Sequence, residues 1–116
     1  MDLVPGGAVR LVLTTAPPGE AHDLARGLVE RGLAACVNVV PGLRSVYRWK
    51  GALHDEPESL LLVKTLAERL PALLADLRAH HPYEVPELLS FAPEAAAAAY
   101  HAWLTACVQD APPRQP

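Results

Sequence analysis

Residues 33–65 read LAACVNVVPGLRSVYRWKGALHDEPESLLLVKT and carry the strongest strand pattern of this chain. Residues 33–40 are mainly apolar and partly β-branched, which is typical of a strand, until Pro41 and Gly42 interrupt the run. Past this break the side chains resume a two-residue alternation, with one face formed by Leu43, Ser45, Tyr47 and Trp49. The pattern predicts one long strand that is bent or bulged at the Pro-Gly pair.

A further strand is predicted directly after this one. Residues 51–57 contain glycine, proline and charged side chains, which favour a turn of the hairpin type. Residues 59–65 hold a continuous apolar run, so this third strand is expected to be buried on both faces. The two strands are therefore expected to form a hairpin.

The segments before and after this hairpin predict a first strand and two helices. Residues 9–15 are aliphatic and β-branched, and the following prolines end that strand. An amphipathic helix follows, with apolar residues at Ala21, Leu24, Ala25 and Leu28. A second helix is predicted over residues 67–79. Thr65 and Glu68 spell a capping box, but that start would put Pro71 inside the helix at a cost of about 3 kcal/mol, so a start near Ala67 is favoured.

The last third of the chain predicts one more strand and one more helix. Residues 87–92 predict a short strand, and Pro93 is expected to open a helix whose buried face holds Tyr100, Trp103, Leu104 and Cys107. The element order is that of a mixed α/β (α+β), ferredoxin-like split β-α-β sandwich with an extra C-terminal helix. One domain is expected over residues 1–109, with a flexible start at 1–8 and a disordered tail at 110–116.

Composition and charge exclude several classes of protein. The chain has 116 residues, of which 51% are hydrophobic and 20% charged, as in an ordered globular domain. Its formal net charge of -3 offers no basic surface to a phosphate backbone, so no nucleic-acid partner is expected. It has no apolar run near the roughly 20 residues that span a bilayer and no signal-peptide pattern, so a cytoplasmic protein without a membrane partner is expected. Cys36 and Cys107 form no metal or redox motif, and both are expected to be reduced and buried.

The predicted sheet would be covered by helices on one face only. Its other face must be buried elsewhere, and its second and third strands are long for an isolated domain. Association with further copies of the chain through this open face is therefore expected.

Four segments stand out as motifs: Thr14-Thr15-Ala16-Pro17, Leu33-Ala34-Ala35-Cys36-Val37-Asn38, Ser45-Val46-Tyr47-Arg48-Trp49-Lys50-Gly51 and His81-Pro82-Tyr83-Glu84-Val85-Pro86-Glu87. Together they resemble the CutA family, proteins linked to divalent-cation tolerance, over residues 11–104. The resemblance implies a ferredoxin-like subunit in a homotrimer similar in architecture to the PII signalling proteins. It also implies copper binding or metal tolerance with no established reaction and no organic cofactor, so an enzyme is not expected.

His80 and His81 are the candidate metal ligands, because imidazole is a common ligand of copper and zinc. Some members of the family are assigned a copper site that adds a cysteine just after the first strand, and the resemblance puts Thr14 at that position. A threonine hydroxyl is a poor ligand for Cu(I), so the third ligand is missing. Weak binding of Cu(II) or another divalent cation is expected. The alternative is that the two histidines end the helix and meet its carbonyl groups.

A trimer would create clefts between subunits, and seven residues are expected to line them: Tyr47, Trp49, Glu58, Lys64, Tyr83, Glu84 and Glu87. Glu84 and Glu87 suit acid–base work or a hard cation, while the prolines of their loop suit a preorganised site or a rigid interface equally. The aromatic residues are equally typical of packing. Lys64 ends an apolar strand and needs a carboxylate partner, for which Glu58 or Glu87 is available. Asn38 is expected to satisfy backbone groups at a bend.

Three functions stay open at this point. The leading one is a non-enzymatic homotrimer that responds to metal ions through His80 and His81. The second is a PII-like sensor that binds a small ligand or partner protein in the inter-subunit clefts, although the sequence has no Gly-rich phosphate loop. The third is a purely structural trimer. An enzyme built on Cys36 is not favoured, because nothing in the sequence brings a histidine near it.

Overall fold

The computed structural model describes residues 2–109. Its helices and strands, in chain order, are β1 Leu3–Pro5, β2 Val9–Ala16, α1 Pro18–Glu30, β3 Cys36–Trp49, β4 Ala52–Leu66, α2 Leu70–His80, β5 Leu89–Phe91, β6 Ala95–Ala97 and α3 Ala98–Gln109. None of the helices in this part of the chain combines the length and the apolar character that crossing a membrane would require.

The main sheet has four strands in the order β3-β4-β2-β5. Each neighbouring pair is antiparallel, so β2 and β3 run in the same direction on either side of β4. Because α1 connects β2 to β3, this is the split β-α-β arrangement. The predicted ferredoxin-like α/β fold is confirmed. A second sheet, β1 paired with β6, was not predicted.

The core lies on both faces of the main sheet, with most of it under α1 and α2. Val12 and Ala16 of β2 and Leu61 and Val63 of β4 pack there against the two helices. Side chains of the opposite parity face the other way, where α3 buries Leu104 and Val108 in a smaller cluster with Val9, Ala35 and Leu66. The expectation that helices cover one face only is therefore wrong, because α3 packs on part of the second face.

The hairpin between β3 and β4 is longer and tighter than expected. The predicted break at Pro41-Gly42 is confirmed as an irregularity of register between Val40 and Leu43. The predicted turn at residues 51–57 is wrong, because β4 already begins at Ala52. The chain reverses at Lys50 and Gly51, with φ of 50° and 80°. The polar residues at positions 54–56 reflect the low burial of this part of β4, not a turn.

The helices also differ in detail from the prediction. The later start of the second helix is confirmed, since a 3-10 turn over Ala67–Arg69 precedes α2 and Pro71 falls in its first turn. Pro93 does not open the third helix, because β6 intervenes and α3 begins at Ala98.

The predicted buried face of the third helix is largely wrong. Leu104 is buried, but Tyr100 and Trp103 are 43% and 49% exposed and Cys107 is exposed as well. Cys36 is half-buried. The burial expected for the two cysteines therefore fails for Cys107 within one chain, and the exposed aromatic rings remain available to another molecule.

The two ends of the chain were expected to lack structure. Leu3–Pro5, inside the segment expected to be flexible, pairs with Ala95–Ala97. The predicted tail at 110–116 lies outside the described residues.

Candidate functional site

A cavity of about 600 Å³ lies between the β3–β4 hairpin and the loop that follows α2. Three aromatic side chains and three carboxylates line it: Tyr47, Trp49, Tyr83, Glu58, Glu84 and Glu87. The other lining residues are Thr15, Ser45, Val46, Pro82 and Val85, so no lining residue in the described part of the chain is basic. The volume is typical of a small-molecule site. The three carboxylates give the cavity a negative charge, which favours a cation.

Glu58 is the most buried carboxylate of the cavity, with 5% of its surface exposed. It lies on β4 opposite Leu43, beside the irregularity of β3. Its Oε2 accepts a 2.8 Å hydrogen bond from the Tyr83 hydroxyl. Burial and this hydrogen bond raise the pKa of Tyr83, so the phenol keeps its proton and continues to donate. Across residues 2–109, no Lys, Arg or His forms a salt bridge with Glu58.

The other two carboxylates differ in their surroundings. Burial first, and the charge of Glu58 second, raise the pKa of Glu87 above its usual value. Glu84 is exposed at the rim, where its Oε2 lies 3.6 Å from Nζ of Lys50. An exposed ion pair of this kind contributes little to stability, and its attraction is screened by salt. The uncompensated negative charge of the cavity is therefore concentrated at Glu58 and Glu87.

The aromatic wall of the cavity is held by cross-strand contacts of the hairpin. Tyr47 stacks on His54, its direct partner in register, with ring centroids 5.1 Å apart. The Tyr47 hydroxyl donates to Oε2 of Glu56 at 3.2 Å, and His54 Nδ1 lies 3.2 Å from Oε1 of the same carboxylate. Tyr47 and Trp49 are 37% and 39% exposed, so both rings present surface to the cavity.

His81 fixes the loop that carries Tyr83 and the two loop carboxylates. It is 7% exposed, and its Nδ1 accepts a 3.0 Å hydrogen bond from the backbone N–H of Tyr83. Its Nε2 lies 2.7 Å from the carbonyl oxygen of Thr15 and must therefore carry the proton and donate. Both ring nitrogens are engaged, so this histidine has no free lone pair for a metal.

His80 has a different environment. Its Nδ1 lies 3.0 Å from the carbonyl oxygen of Asp76 and donates to it, so the lone pair is on Nε2. The side chain is 47% exposed, and no hydrogen bond to Nε2 forms within residues 2–109. Asp76 is 1% exposed and accepts two hydrogen bonds from Arg31, at 2.6 and 2.9 Å. Of the two candidate metal ligands, His80 alone keeps a nitrogen available.

Thr14 does not provide a third ligand beside the two histidines. Its side chain is 1% exposed and shares the helix-facing side of β2 with Val12 and Ala16. Its Oγ1 is buried and has no hydrogen-bond partner among the described residues. Within residues 2–109, no group of three His, Cys, Asp or Glu side chains converges to hold a metal ion.

Lys64 is the one predicted cleft residue that the cavity does not contain. It lies six positions beyond Glu58 on β4, opposite Cys36, and its ammonium donates to the side-chain oxygen of Asn38. Within one chain, Lys64 pairs with neither Glu58 nor Glu87, and Asn38 accepts from this ammonium where contacts with backbone groups were expected. The other six predicted residues all line the cavity.

The structure adds five lining residues that the sequence did not suggest: Thr15, Ser45, Val46, Pro82 and Val85. Three of them neighbour residues that were predicted, so a wider selection around residues 45–49 and 82–87 would have found them. Thr15 carried no such signal, because it joins the cavity through the packing of β2 beside β4.

The chain is similar to known proteins in both sequence and structure. The sequence model described as CutA1 divalent ion tolerance protein matches residues 10–107. The divalent-cation tolerance protein CutA of Thermus thermophilus is 51% identical over 81 residues, 69% of this chain and 79% of that protein. CutA from Synechococcus elongatus superposes with a TM-score of 0.85 at 43% identity, covering 91% of this chain and 95% of that one. The PII-like protein CutA from Nostoc in apo form has a TM-score of 0.76 at 32% identity, covering 82% and 92%.

Proposed function

This chain belongs to the CutA1 divalent ion tolerance family, and on that premise we propose that it is a non-enzymatic homotrimer that responds to divalent metal ions. The observation that carries metal binding is the environment of His80. Of the two histidines predicted as ligands, only His80 binds the metal. His81 instead holds the loop after α2 through its two hydrogen bonds.

His80 has the arrangement that a metal-ligating histidine usually has. Such a residue donates one ring N–H to a carbonyl or carboxylate and presents the other nitrogen to the metal. His80 donates Nδ1–H to the carbonyl oxygen of Asp76, and the carboxylate Oδ1 of Asp76 lies 3.4 Å from the same nitrogen.

Cu(II) is the divalent ion that best suits one exposed imidazole, since affinities of N-donor sites peak at copper. Water or a second copy of the chain would complete the coordination, because no three protein ligands converge within residues 2–109. We therefore expect weak binding that depends on His80.

The homotrimer is supported by apolar side chains that one chain leaves exposed. Val46 and Leu53 near the end of the hairpin are 63% and 71% exposed, and Phe91 and Trp103 are each 49% exposed. A set of this size is typical of a surface that another subunit covers. Light scattering after gel filtration should give about three times the chain mass of 12.4 kDa. A mass equal to one chain would contradict the assembly.

We also place this homotrimer in the cytoplasm, without a nucleic-acid or membrane partner. A PII-like sensor is the second candidate function, and the cavity around Glu58 is the observation that favours it. The two functions use different residues, so they can be tested separately.

Calorimetric titration with Cu(II) tests the metal proposal. His80→Ala should remove most of the heat of binding, while His22→Ala, which removes an exposed histidine from α1, is the matched control and should bind as the parent protein does. Equal binding by the parent and His80→Ala would remove the assignment. His81→Ala is a poor test on its own, because the loss of two partly buried hydrogen bonds would disturb the loop.

A further inference from the structure

We propose that β6 and the first turn of α3 form an acceptor site for an extended peptide segment, and that residues 2–6, here called the strap, fill this site within the chain. The strap contains β1, which pairs antiparallel with β6. Every contact that defines the site lies within one chain, so the site depends neither on the number of subunits nor on metal binding at His80.

The strap is held by hydrogen bonds at both of its ends. At one end, the backbone N–H of Ala98 donates to the carbonyl oxygen of Asp2 at 2.6 Å. At the other end, the N–H of Gly6 donates to the carbonyl oxygen of Glu94 at 3.1 Å. The Gly6 carbonyl oxygen in turn accepts a 3.0 Å hydrogen bond from Nε2 of His101. Main-chain contacts of this kind are how a sheet edge recognises an added strand.

The first turn of α3 needs an acceptor that its own sequence does not supply. The first backbone N–H groups of a helix have no acceptor inside the helix. α3 begins at Ala98, and the preceding Ala97 has a methyl side chain, which cannot accept a hydrogen bond as Ser, Thr, Asp or Asn would. The carbonyl oxygen of Asp2 takes this role for the Ala98 N–H. The strap therefore caps α3 in addition to pairing with β6.

Gly6 makes the site selective for a segment with glycine at this position. Gly6 is buried, and a Cβ built on it would lie 1.9 Å from the carbonyl oxygen of Pro93. A backbone oxygen cannot retreat as the end of a long side chain can, so a larger residue would force the strap away from Pro93. A Cβ on Gly19 would meet nothing within 4 Å, so this glycine is the matched position for a control.

The strap is small enough to leave the site while the main sheet stays folded. β1 has three residues and Leu3 remains 56% exposed, so the pairing of β1 with β6 buries little apolar surface. A two-stranded sheet of this size is marginal on its own, and segments with few buried contacts open at a lower free energy than the core. When the strap opens, another extended segment with apolar side chains and a glycine can bind in its place.

Hydrogen exchange of the Ala98 amide measures whether the strap occupies the site. In the full chain with Gly6→Ala, this amide should exchange at least about tenfold faster than in the parent protein, because its acceptor on Asp2 moves away. The amide should exchange in Gly19→Ala as it does in the parent. Unchanged protection of Ala98 in Gly6→Ala would overturn the proposal.

A peptide added to the solution then tests the acceptor site itself. The probe is the acetylated peptide of residues 2–8, Asp-Leu-Val-Pro-Gly-Gly-Ala, titrated to about 10 mM into each isotope-labelled full chain and followed by NMR. It should shift the Ala98 amide signal of the Gly6→Ala chain toward its position in the parent protein. The parent should bind the peptide at least about tenfold more weakly, because its own strap competes at an effective concentration in the mM range.

The matched control is the same peptide carrying Gly6→Ala, which should bind neither chain. The proposal would be overturned if the peptide with the natural sequence gave no shift in the Gly6→Ala chain. Equal shifts from the two peptides, or equal affinity of the natural peptide for the two chains, would contradict it as well.

If Gly6→Ala does not fold, His101→Leu serves as the second variant of the full chain. It removes one donor to the strap and keeps the sequence of the strap, so the Ala98 amide should exchange about fivefold faster than in the parent. An unchanged rate would contradict the acceptor role of α3. His80→Ala should leave the Ala98 amide as it is in the parent, so the peptide site and the metal site fail or succeed separately.

Discussion

His81 Nε2 donates a 2.7 Å hydrogen bond to the carbonyl oxygen of Thr15, which ties the end of α2 to the end of β2. The other ring nitrogen accepts from the backbone N–H of Tyr83, so one neutral imidazole orders both the strand end and the start of the cavity loop. The ring also packs against the Tyr83 ring at a centroid distance of 4.7 Å. The orientation of Tyr83 toward Glu58 therefore depends on a histidine outside the cavity.

The first prediction concerns this histidine. His81→Leu introduces an apolar side chain of similar size and leaves the N–H of Tyr83 and the carbonyl of Thr15 unpaired in a partly buried place. We expect the free energy of unfolding to fall by about 2–4 kcal/mol. Urea denaturation at one fixed protein concentration measures it, since stability of an oligomer depends on concentration. The control is His80→Leu at the exposed neighbouring position, where a loss below about 1 kcal/mol is expected. Similar losses in both variants would contradict the structural role of His81.

The second prediction concerns the ion pair between α1 and α2. The Arg31 guanidinium makes two hydrogen bonds to the buried carboxylate of Asp76. Arg31→Met removes that cation from a side chain that is 1% exposed, so we expect a loss of about 3 kcal/mol, measured by chemical denaturation.

Gly27 leaves room for this ion pair, because a Cβ at this position would collide with the present position of the Arg31 guanidinium. Gly27→Ala should therefore destabilise the parent protein by about 1–2 kcal/mol through displacement of Arg31. In the Arg31→Met background the same change should stabilise by about 0.5–1 kcal/mol, since alanine is the better helix former. Additive effects in this double-mutant cycle would show that Gly27 and Arg31 are independent.

The third prediction concerns the buried hydroxyl of Thr14. Thr14→Val keeps the shape and removes a polar atom that has no partner among the described residues, so the free energy of unfolding should rise by about 1 kcal/mol. Thr14→Ser is the control, because it keeps the hydroxyl and loses a buried methyl group, and it should be destabilised by about 1 kcal/mol. Thermal unfolding of the three proteins under one condition compares them. A destabilised Thr14→Val would mean that the hydroxyl is hydrogen-bonded in solution.

Side-chain periodicity explains which parts of the fold were predictable. Side chains along residues 43–49 alternate between the two faces, as the pleat of a strand requires. This alternation made the second half of β3 predictable. The turn was misplaced because Lys50 adopts a positive φ at a position where Asn or Gly usually signals a two-residue hairpin. Ala95–Ala97 has the composition of a helix, and only its pairing with Leu3–Pro5 makes it a strand.

The site was predictable where its residues share a strand face or a loop. Tyr47 and Trp49 follow from the alternation of β3, and Tyr83 and Glu87 from their common loop. Lys64 lies outside the cavity of one chain because six residues along an extended strand separate it from Glu58 by roughly 20 Å, although both belong to β4; its place in a cleft between subunits stays a prediction. The different roles of His80 and His81 could not be predicted, because they depend on hydrogen bonds to the carbonyl groups of Asp76 and Thr15 that form only in the folded chain.

The fourth prediction concerns pH and Glu87. Burial and the charge of Glu58 raise its pKa in the folded protein above its ordinary value of 4.5. The unfolded chain then ionises first, so the contribution of Glu87 to stability is fully present below pH 4.5 and is lost as the pH rises through the folded pKa. Glu87→Gln removes this loss, so its stability relative to the parent should increase with pH across this window.

Urea denaturation at a series of pH values from below 4.5 to 7 measures the difference for Glu87→Gln. The matched control is Glu84→Gln, which removes one charge from an exposed position of the same loop. Equal changes in the two variants would show that the overall charge of the loop, not the partial burial of Glu87 beside Glu58, sets the pH dependence. A response confined to Glu87→Gln would instead mean that ionising this partly buried carboxylate beside Glu58 opposes folding.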